Sequence, residues 1–357
     1  MNPPSRVGSR VIRGHARSRT SDAVFGTPGL VVAWAPNAAR SASLAAALDL
    51  PCYLIHVLAF QRPWLAPLKY PMQAALTWAL LWRERPAAII VQNPPLPAVV
   101  CVALYSWRYQ ARFIIDSHSG ALVEPKWAWS RPMQRWLGRR ATATLVHTTA
   151  LLPRLGGAGR VLVIEDGPLA PREPGRSAPT TPRVVVVGSL AADEPLEAVV
   201  AAAEQLSPLR FVLTGDPRRA AWPDLLRELP ANVELAGWLS TTDYALLLQS
   251  ATVIVSLTTR DLTVLRGAWE AVYLGKPLVT SDWPAQRDCF TQGTIFVDNT
   301  AASLAEGLRR ALVEQEGLAE AMRSLEQEKR HAWDSALSTL CSLLTLARPH
   351  TRPEVER

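Results

Sequence analysis

Five prolines fall within the sixteen residues 167–182 (Pro168, Pro171, Pro174, Pro179 and Pro182). Proline has no backbone N–H, and its ring clashes with the preceding helical turn. Neither a helix nor a central strand can run through such a segment. On both sides of it the chain shows one rhythm. Short β-branched, apolar runs alternate with longer stretches of helical periodicity, the pattern of parallel strands joined by covering helices. Upstream, strands are predicted at 31–35, 53–56, 88–92, 113–116, 144–147 and 161–165, with helices at 41–48, 70–83, 98–107 and 132–140. Downstream, strands are predicted at 184–187, 211–214, 233–235, 253–256, 278–281 and 294–297, with helices between them and two more at 301–313 and 317–347.

The proline segment therefore separates two α/β domains. The predicted organisation is a disordered basic tail (1–24), a first domain (25–166), the linker (167–182), a second domain (183–347) and a short tail (348–357). Each domain is a doubly wound, Rossmann-like sheet, and the two are expected to face a cleft. Ligands of such sheets bind beyond the carboxyl ends of the strands, so the loops there are where chemistry is expected. With 357 residues, 48% of them hydrophobic and 19% charged, the chain can fill two cores, which excludes a disordered protein. Its four cysteines (Cys52, Cys101, Cys289, Cys341) match no zinc or redox spacing and fit buried positions in a reducing compartment.

Charge divides the halves. Residues 1–20 hold five arginines and no acid, and residues 21–165 hold fourteen Lys/Arg against six Asp/Glu. The total is only +7, so the remainder is acidic. Eight of the thirteen tryptophans also precede residue 166. A basic, Trp-rich half fits an anionic membrane surface or an anionic lipid-linked substrate. No nucleic-acid-binding motif accompanies the charge, so nucleic acid is not expected as a partner. The apolar stretch 87–107 is interrupted by Gln92-Asn93-Pro94-Pro95 and Pro97, so it is read as strand, loop and helix rather than as a membrane span. No apolar run follows the N-terminal arginines, which argues against a signal peptide. The expected location is cytoplasmic, peripheral on the inner face of the plasma membrane.

Two Trp-rich segments bear on that. Residues 64–83 are apolar nearly all round, which suits a buried core helix or an interfacial segment. Trp127, Trp129 and Trp136 are interleaved with Arg131, Arg135, Arg139 and Arg140 and look more exposed.

The motifs with chemical content lie at predicted strand ends. In the second half these are Gly188-Ser189, Gly215-Asp216 and Gly237-Trp238, where glycine lets backbone N–H groups approach a phosphate or a ring. The run from Arg260 to Asp282 is a loop, a helix beginning near Thr263 and ending at Gly275, and a strand. Arg266 and Gly267 then lie in early turns, where the helix dipole favours an anion, and Glu270 is one turn further on. In the first half, Asn93 lies in the Gln-Asn-Pro-Pro turn, Asp116 and His118 follow another strand, and Arg40 follows the first. No Asp-x-Asp triplet, no metal-ligand spacing and no dinucleotide fingerprint after either first strand is present. No metal and no cofactor are expected, and the missing fingerprint argues against a dehydrogenase.

Gly188-Ser189, Gly215-Asp216, Gly237 and the run from Glu270 through Gly275-Lys276-Pro277 to Asp282, in order over about residues 183–315, resemble the donor domain of GT-B glycosyltransferases of the family-4-like group (glycosyltransferases group 1). The resemblance implies that Glu270 binds the ribose hydroxyls of a nucleotide sugar and that the Gly188 turn approaches its diphosphate. It also implies that His118 contacts the donor sugar, that transfer is metal-independent and that it retains configuration. The Gln92–Pro95 and Ile114–His118 turns are similar to those of the eukaryotic mannosyltransferases that extend dolichol-linked chitobiose. The implied acceptor is a lipid-linked or polysaccharide-precursor glycan. Two departures stand out. The family's second glutamate, eight residues before Glu270, is Leu262 here, and the loop 189–194 lacks the usual arginine and lysine. Arg266 is the candidate replacement cation, alternatively a helix residue paired with Asp261 or Glu270, and Arg40 a further candidate near the first loop. A non-catalytic scaffold subunit and a nucleotide-sugar epimerase on the same fold are the rival functions.

Overall fold

The computed structural model describes residues 10–14, 29–58, 63–168 and 181–345. The chain divides into two compact units, one holding residues up to Glu165 together with those from Trp333 onward, the other Asp166–Ala332.

In the first unit the strands are β1 (Arg10–Gly14), β2 (Gly29–Ala33), β3 (Cys52–His56), β4 (Ala88–Asn93), β5 (Arg112–Ser117), β6 (Ala143–Val146) and β7 (Val161–Val163). They form one sheet in the order β1-β3-β2-β4-β5-β6-β7, parallel except for β1. Its helices are α1 (Ala39–Ala47), α2 (Ala66–Glu84), α3 (Leu96–Tyr109), α4 (Ser119–Val123), α5 (Arg131–Gly138) and α6 (Leu152–Leu155). In the second unit β8 (Arg183–Val186), β9 (Arg210–Thr214), β10 (Val233–Gly237), β11 (Val253–Ser256), β12 (Leu278–Ser281) and β13 (Thr294–Val297) make an all-parallel sheet ordered β10-β9-β8-β11-β12-β13. Around it lie α7 (Leu196–Gln205), α8 (Thr241–Gln249), α9 (Arg266–Tyr273), α10 (Pro284–Cys289), α11 (Ala301–Val313) and α12 (Gln315–Thr345). Both expected α/β sheets are present.

The strand orders fix where ligands can sit. In each sheet the first parallel strand has a sequence neighbour on one side and a later strand on the other. The sheet therefore changes winding direction between β2 and β4, and again between β8 and β11. At these switch points the loops diverge and leave a crevice at the strands' carboxyl ends. The crevice in the first unit is edged by Arg40 and Asn93, and that in the second by the loops 187–195 and 257–265.

Three expectations need correction. Part of the predicted disordered tail is strand β1, which pairs antiparallel with β3 from Arg10↔His56 to Gly14↔Cys52. An edge strand presents unpaired backbone groups, and β1 covers that edge. The rest of the 1–24 tail, linker residues 169–180 and the 348–357 tail lie outside the described residues. Second, the last helix does not stay in the second domain. Trp333, Leu340 and Leu344 pack with Val31, Ile90 and Ile114 of the first unit's core, and Arg112 Nη1 donates to the Leu343 carbonyl at 2.8 Å. Periodicity identifies an apolar stripe without saying which sheet it covers.

The third concerns α2, which is neither a plain core helix nor a plain interfacial one. It buries Lys69, Gln73, Thr77, Leu80 and Leu81 and exposes Leu68, Met72, Trp78 and Trp82. Two of its buried polar side chains are tied in by hydrogen bonds. Gln73 Nε2 donates to the Ile55 carbonyl at 2.7 Å, Thr77 Oγ1 donates to the Gln73 carbonyl at 2.7 Å and accepts from Trp34 Nε1 at 2.8 Å. Its polarity is thus partly reversed relative to an ordinary surface helix, which turns its apolar stripe inward.

Candidate functional sites

The site residues of the first unit gather around a buried carboxylate. Asp116, near the end of β5, is 1% exposed. Arg40, in the first turn of α1, donates from Nε to Asp116 Oδ1 at 3.1 Å. Its terminal nitrogens reach the carbonyls of Ile164 (2.7 Å) and Glu165 (3.2 Å). Burial favours the neutral acid, but the charges and hydrogen bonds of Arg40 and His118 outweigh it and hold the Asp116 carboxyl well below the usual carboxylate range. Asp116 is therefore a fixed anion and not a proton acceptor at neutral pH. Arg40, expected to face a ligand, is instead a tie joining three loops of its own unit.

His118 is the least buried member of the group. Its Nε2 lies 3.2 Å from Asp116 Oδ2. An ionised carboxylate only accepts, so Nε2 carries the proton of this hydrogen bond and Nδ1 is left facing away from Asp116. The side chain makes no capping bond to α4, although His118 is the residue preceding that helix. Asn93, facing Ser117 across the β4–β5 ladder, is buried. Its Nδ2 donates to Ser117 Oγ at 3.3 Å and Gln134 Oε1 at 3.1 Å. It shapes the loop from beneath and does not project into solvent.

In the second unit Glu270 lies on α9, buried. Tyr244 of α8 donates its hydroxyl proton to Glu270 Oε2. Arg266 Nε is 3.6 Å from Glu270 Oε1, and Arg266 Nη1 is 3.8 Å from Asp166 Oδ2. Arg266 is the first residue of α9, later than the predicted start near Thr263 because Leu265 is extended. Of the two acids named as its possible partners, Glu270 is the one beside it, while Asp261 Oδ1 accepts from the Leu262 N–H at 2.7 Å. Gly267 lets the helix approach β8, since a Cβ there would meet Val187 Cγ1 at 2.6 Å.

The strand-end turns are close by. Gly188 N–H donates to Thr214 Oγ1 at 3.1 Å, which joins the ends of β8 and β9. Gly215 N–H donates to the Gly237 carbonyl at 3.3 Å, which joins β9 and β10. The Asp216 carboxylate caps the turn that follows. It accepts from the Arg218 backbone N–H at 3.1 Å and from that guanidinium at 2.9 and 3.0 Å. The Arg218 hydrogen bonds hold its carboxyl below the usual range. Trp238, at the edge strand, is 72% exposed, an open aromatic face. Ser189 is engaged by Glu194 of the same loop. Ser189 N–H donates to both Glu194 carboxylate oxygens (2.8 and 3.0 Å), Ser189 Oγ to Oε1 (2.9 Å) and Leu190 N–H to Oε2 (2.8 Å). Tyr244, Thr214 and Glu194 carry no local motif; each becomes part of a site through strand order or loop closure. Among the described residues no three His, Cys, Asp or Glu side chains group as metal ligands.

This architecture is that of the GT-B glycosyltransferases. The structure superimposes on HepE (Alr3699) of Anabaena, solved with UDP and glucose, with a TM-score of 0.65 and 15% identity over 88% of this chain and 100% of that one. Sucrose-phosphate synthase of Thermosynechococcus elongatus gives a TM-score of 0.67 at 16% identity, over 88% and 98% of the two chains. A glycosyltransferase of Rickettsia africae gives 0.63 at 12% identity, over 89% and 96%. Residues 194–342 match the family described as glycosyl transferase-like. The chain thus has the GT-B fold, with the glycosyl transferase-like match confined to its second half. No curated protein matches its sequence.

Proposed function

We propose that this protein transfers a hexose from a nucleotide-sugar donor, held mainly by its second unit, to a lipid-linked or polysaccharide-precursor glycan, without a metal ion. The observation that carries the reading is the set of groups at the β8/β11 switch point: a backbone N–H turn at Ser189–Leu190, the α9 N-terminus with Arg266, and the Glu270 carboxylate. Backbone dipoles and a guanidinium suit a leaving diphosphate, and a carboxylate suits ribose hydroxyls. Solved structures of similar fold hold UDP with glucose, or UDP-glucose, so uridine diphosphate sugars are the first donors to test. His118, oriented by Asp116, offers Nδ1 to a sugar hydroxyl. Retention of configuration is part of this proposal and rests on the resemblance to family-4-like enzymes.

The lipid-linked acceptor is favoured by the surface of the first unit. Among the described residues, twelve of sixteen exposed large apolar side chains lie in that unit, eleven of them within residues 64–136. Six of them, Trp78, Trp82, Leu104, Tyr109, Trp129 and Met133, line an apolar groove of about 1030 Å³. The Arg140 guanidinium sits 3.8 Å over the Trp136 ring, a pairing of cation and aromatic that suits an anionic headgroup layer. No helix among the described residues is long and apolar enough to cross a membrane, so the proposed attachment is peripheral, on the cytoplasmic face.

Thermal-shift screening against nucleotide sugars, followed by donor turnover, tests the main reading. Stabilisation by at least one nucleoside diphosphate sugar with measurable hydrolysis or transfer is expected. Binding without turnover of any donor, with or without a glycan acceptor, sinks the enzymatic reading and favours the scaffold. Sedimentation with anionic liposomes, but not neutral ones, is the expected result for membrane attachment, and the Trp78→Ser/Trp82→Ser double variant should lose it.

A further inference from the structure

The turn at the end of β8 is built to hold an anion, and it already holds one. Ser189 and Leu190 direct successive N–H groups at a single point, with the Ser189 hydroxyl beside them, and all three donate to the carboxylate of Glu194. Consecutive N–H groups in such a turn form a concave anion nest, and charge-assisted bonds of this length are the stronger kind. Gly188 makes room for the guest, because a Cβ there would collide with the Glu194 carboxylate. The donor set and the vacant Cβ position are those a phosphate oxygen would also use.

The tether of this internal anion is short and one-sided. Glu194 sits four and five residues from the groups it bonds, in the same loop. Its neighbour Asp193 holds the loop to the other side of the crevice. The Asp193 carbonyl accepts from Thr259 N–H at 2.7 Å, and its carboxylate lies 3.4 Å from Arg260 Nε. The Glu194 side chain can therefore leave the nest by rotating about its own bonds while the loop backbone stays anchored.

We infer that Glu194 is the resident anion of this nest, and that a donor's phosphate binds there only by displacing it. The inference rests on the donor-site reading above, and it assigns Glu194 a role as the residue that sets how readily the turn accepts a diphosphate. The acidic loop that departs from the family's cationic pattern then acts as a competitor for the phosphate instead of a ligand to it.

The test titrates the full-length protein with inorganic pyrophosphate and, separately, with UDP, and follows the amide resonances of Ser189 and Leu190 together with calorimetric affinity. Glu194→Ala should bind both about tenfold more tightly than the parent protein, as expected when a charge-assisted competitor is removed. Its amide shifts should saturate with the ligand. Glu194→Gln keeps an acceptor and loses the charge, so it should fall between the two. Unmoved amides in Glu194→Ala, or equal or weaker affinity in a variant whose melting transition shows it folded, overturn the inference. Equal UDP affinity in parent and variant overturns it while leaving the donor site intact. Tighter pyrophosphate with no preference for UDP over pyrophosphate supports the resident-anion role and removes the donor reading.

Discussion

Asp116 and Glu194 are both carboxylates at strand ends beside a switch point, yet they are held in opposite ways. Asp116 is buried, and its partner Arg40 lies 76 residues away and ties in carbonyls a further 48 residues on. Glu194 is partly exposed and is held by its own loop. A buried charge bound through distant elements cannot leave without disrupting the fold, because its partner would be stranded. A partly exposed charge bound locally exchanges with water or a ligand at little cost. The first unit thus presents a rigid, pre-oriented imidazole, and the second a nest whose occupant is replaceable. One centre is built for geometry and the other for exchange.

The largest expected effect comes from breaking the rigid centre. Arg40→Ala leaves the buried Asp116 charge without its guanidinium, held only by His118, and should cost about 3–5 kcal/mol of stability, measured by urea unfolding at pH 7. Replacing Glu194 by Ala should change stability far less in the same assay. A similar loss in both variants would erase the contrast.

Acid sharpens the same contrast. The folded-state pKa of Asp116 lies below its unfolded value of about 3.9. Its contribution is therefore complete above that value and is lost as pH falls through the lower folded-state pKa. Unfolding measured from pH 5 down to pH 2.5 should show this decline in the parent protein and a shallower one in Arg40→Ala.

Glu270→Ala should cost roughly 1–3 kcal/mol, because the partly buried Tyr244 hydroxyl and Arg266 lose a partner. It should also weaken stabilisation by UDP in thermal-shift titrations. If UDP stabilises the variant as well as the parent, Glu270 is only a structural partner of Arg266. The smallest stability change is expected for His118→Ala, about 0.5–1.5 kcal/mol because Asp116 loses one hydrogen-bond partner, accompanied by the loss of most sugar transfer at unchanged UDP affinity. Retained transfer would leave Asp116 as a structural anion with no catalytic dependant.

Residues of the candidate site were legible to different degrees. Gly188, Gly215 and Gly267 were visible because a strand-end glycine is a local pattern with a local cause. Arg266 and Glu270 were visible because helical spacing puts residues four apart on one face. Which partner each would choose was not, since Tyr244 and Asp166 come from separate elements. Arg40 looked like a ligand cation for the same reason. Its charge is in the sequence, while the carbonyls of Ile164 and Glu165 arrive beside it only when β7 joins the sheet.

By itself the sequence determined two α/β units, through strand and helix periodicities and a proline segment that neither can cross. It also determined the asymmetry of charge and tryptophan between the halves. Tertiary structure alone decided that β1 closes an edge and that the end of α12 returns to the first unit. It alone turned the apolar face of α2 outward and put a carboxylate in the turn at Gly188. Periodicity specifies which residues share a face, but the face's neighbour is chosen by packing and by pairing of buried polar groups across long separations.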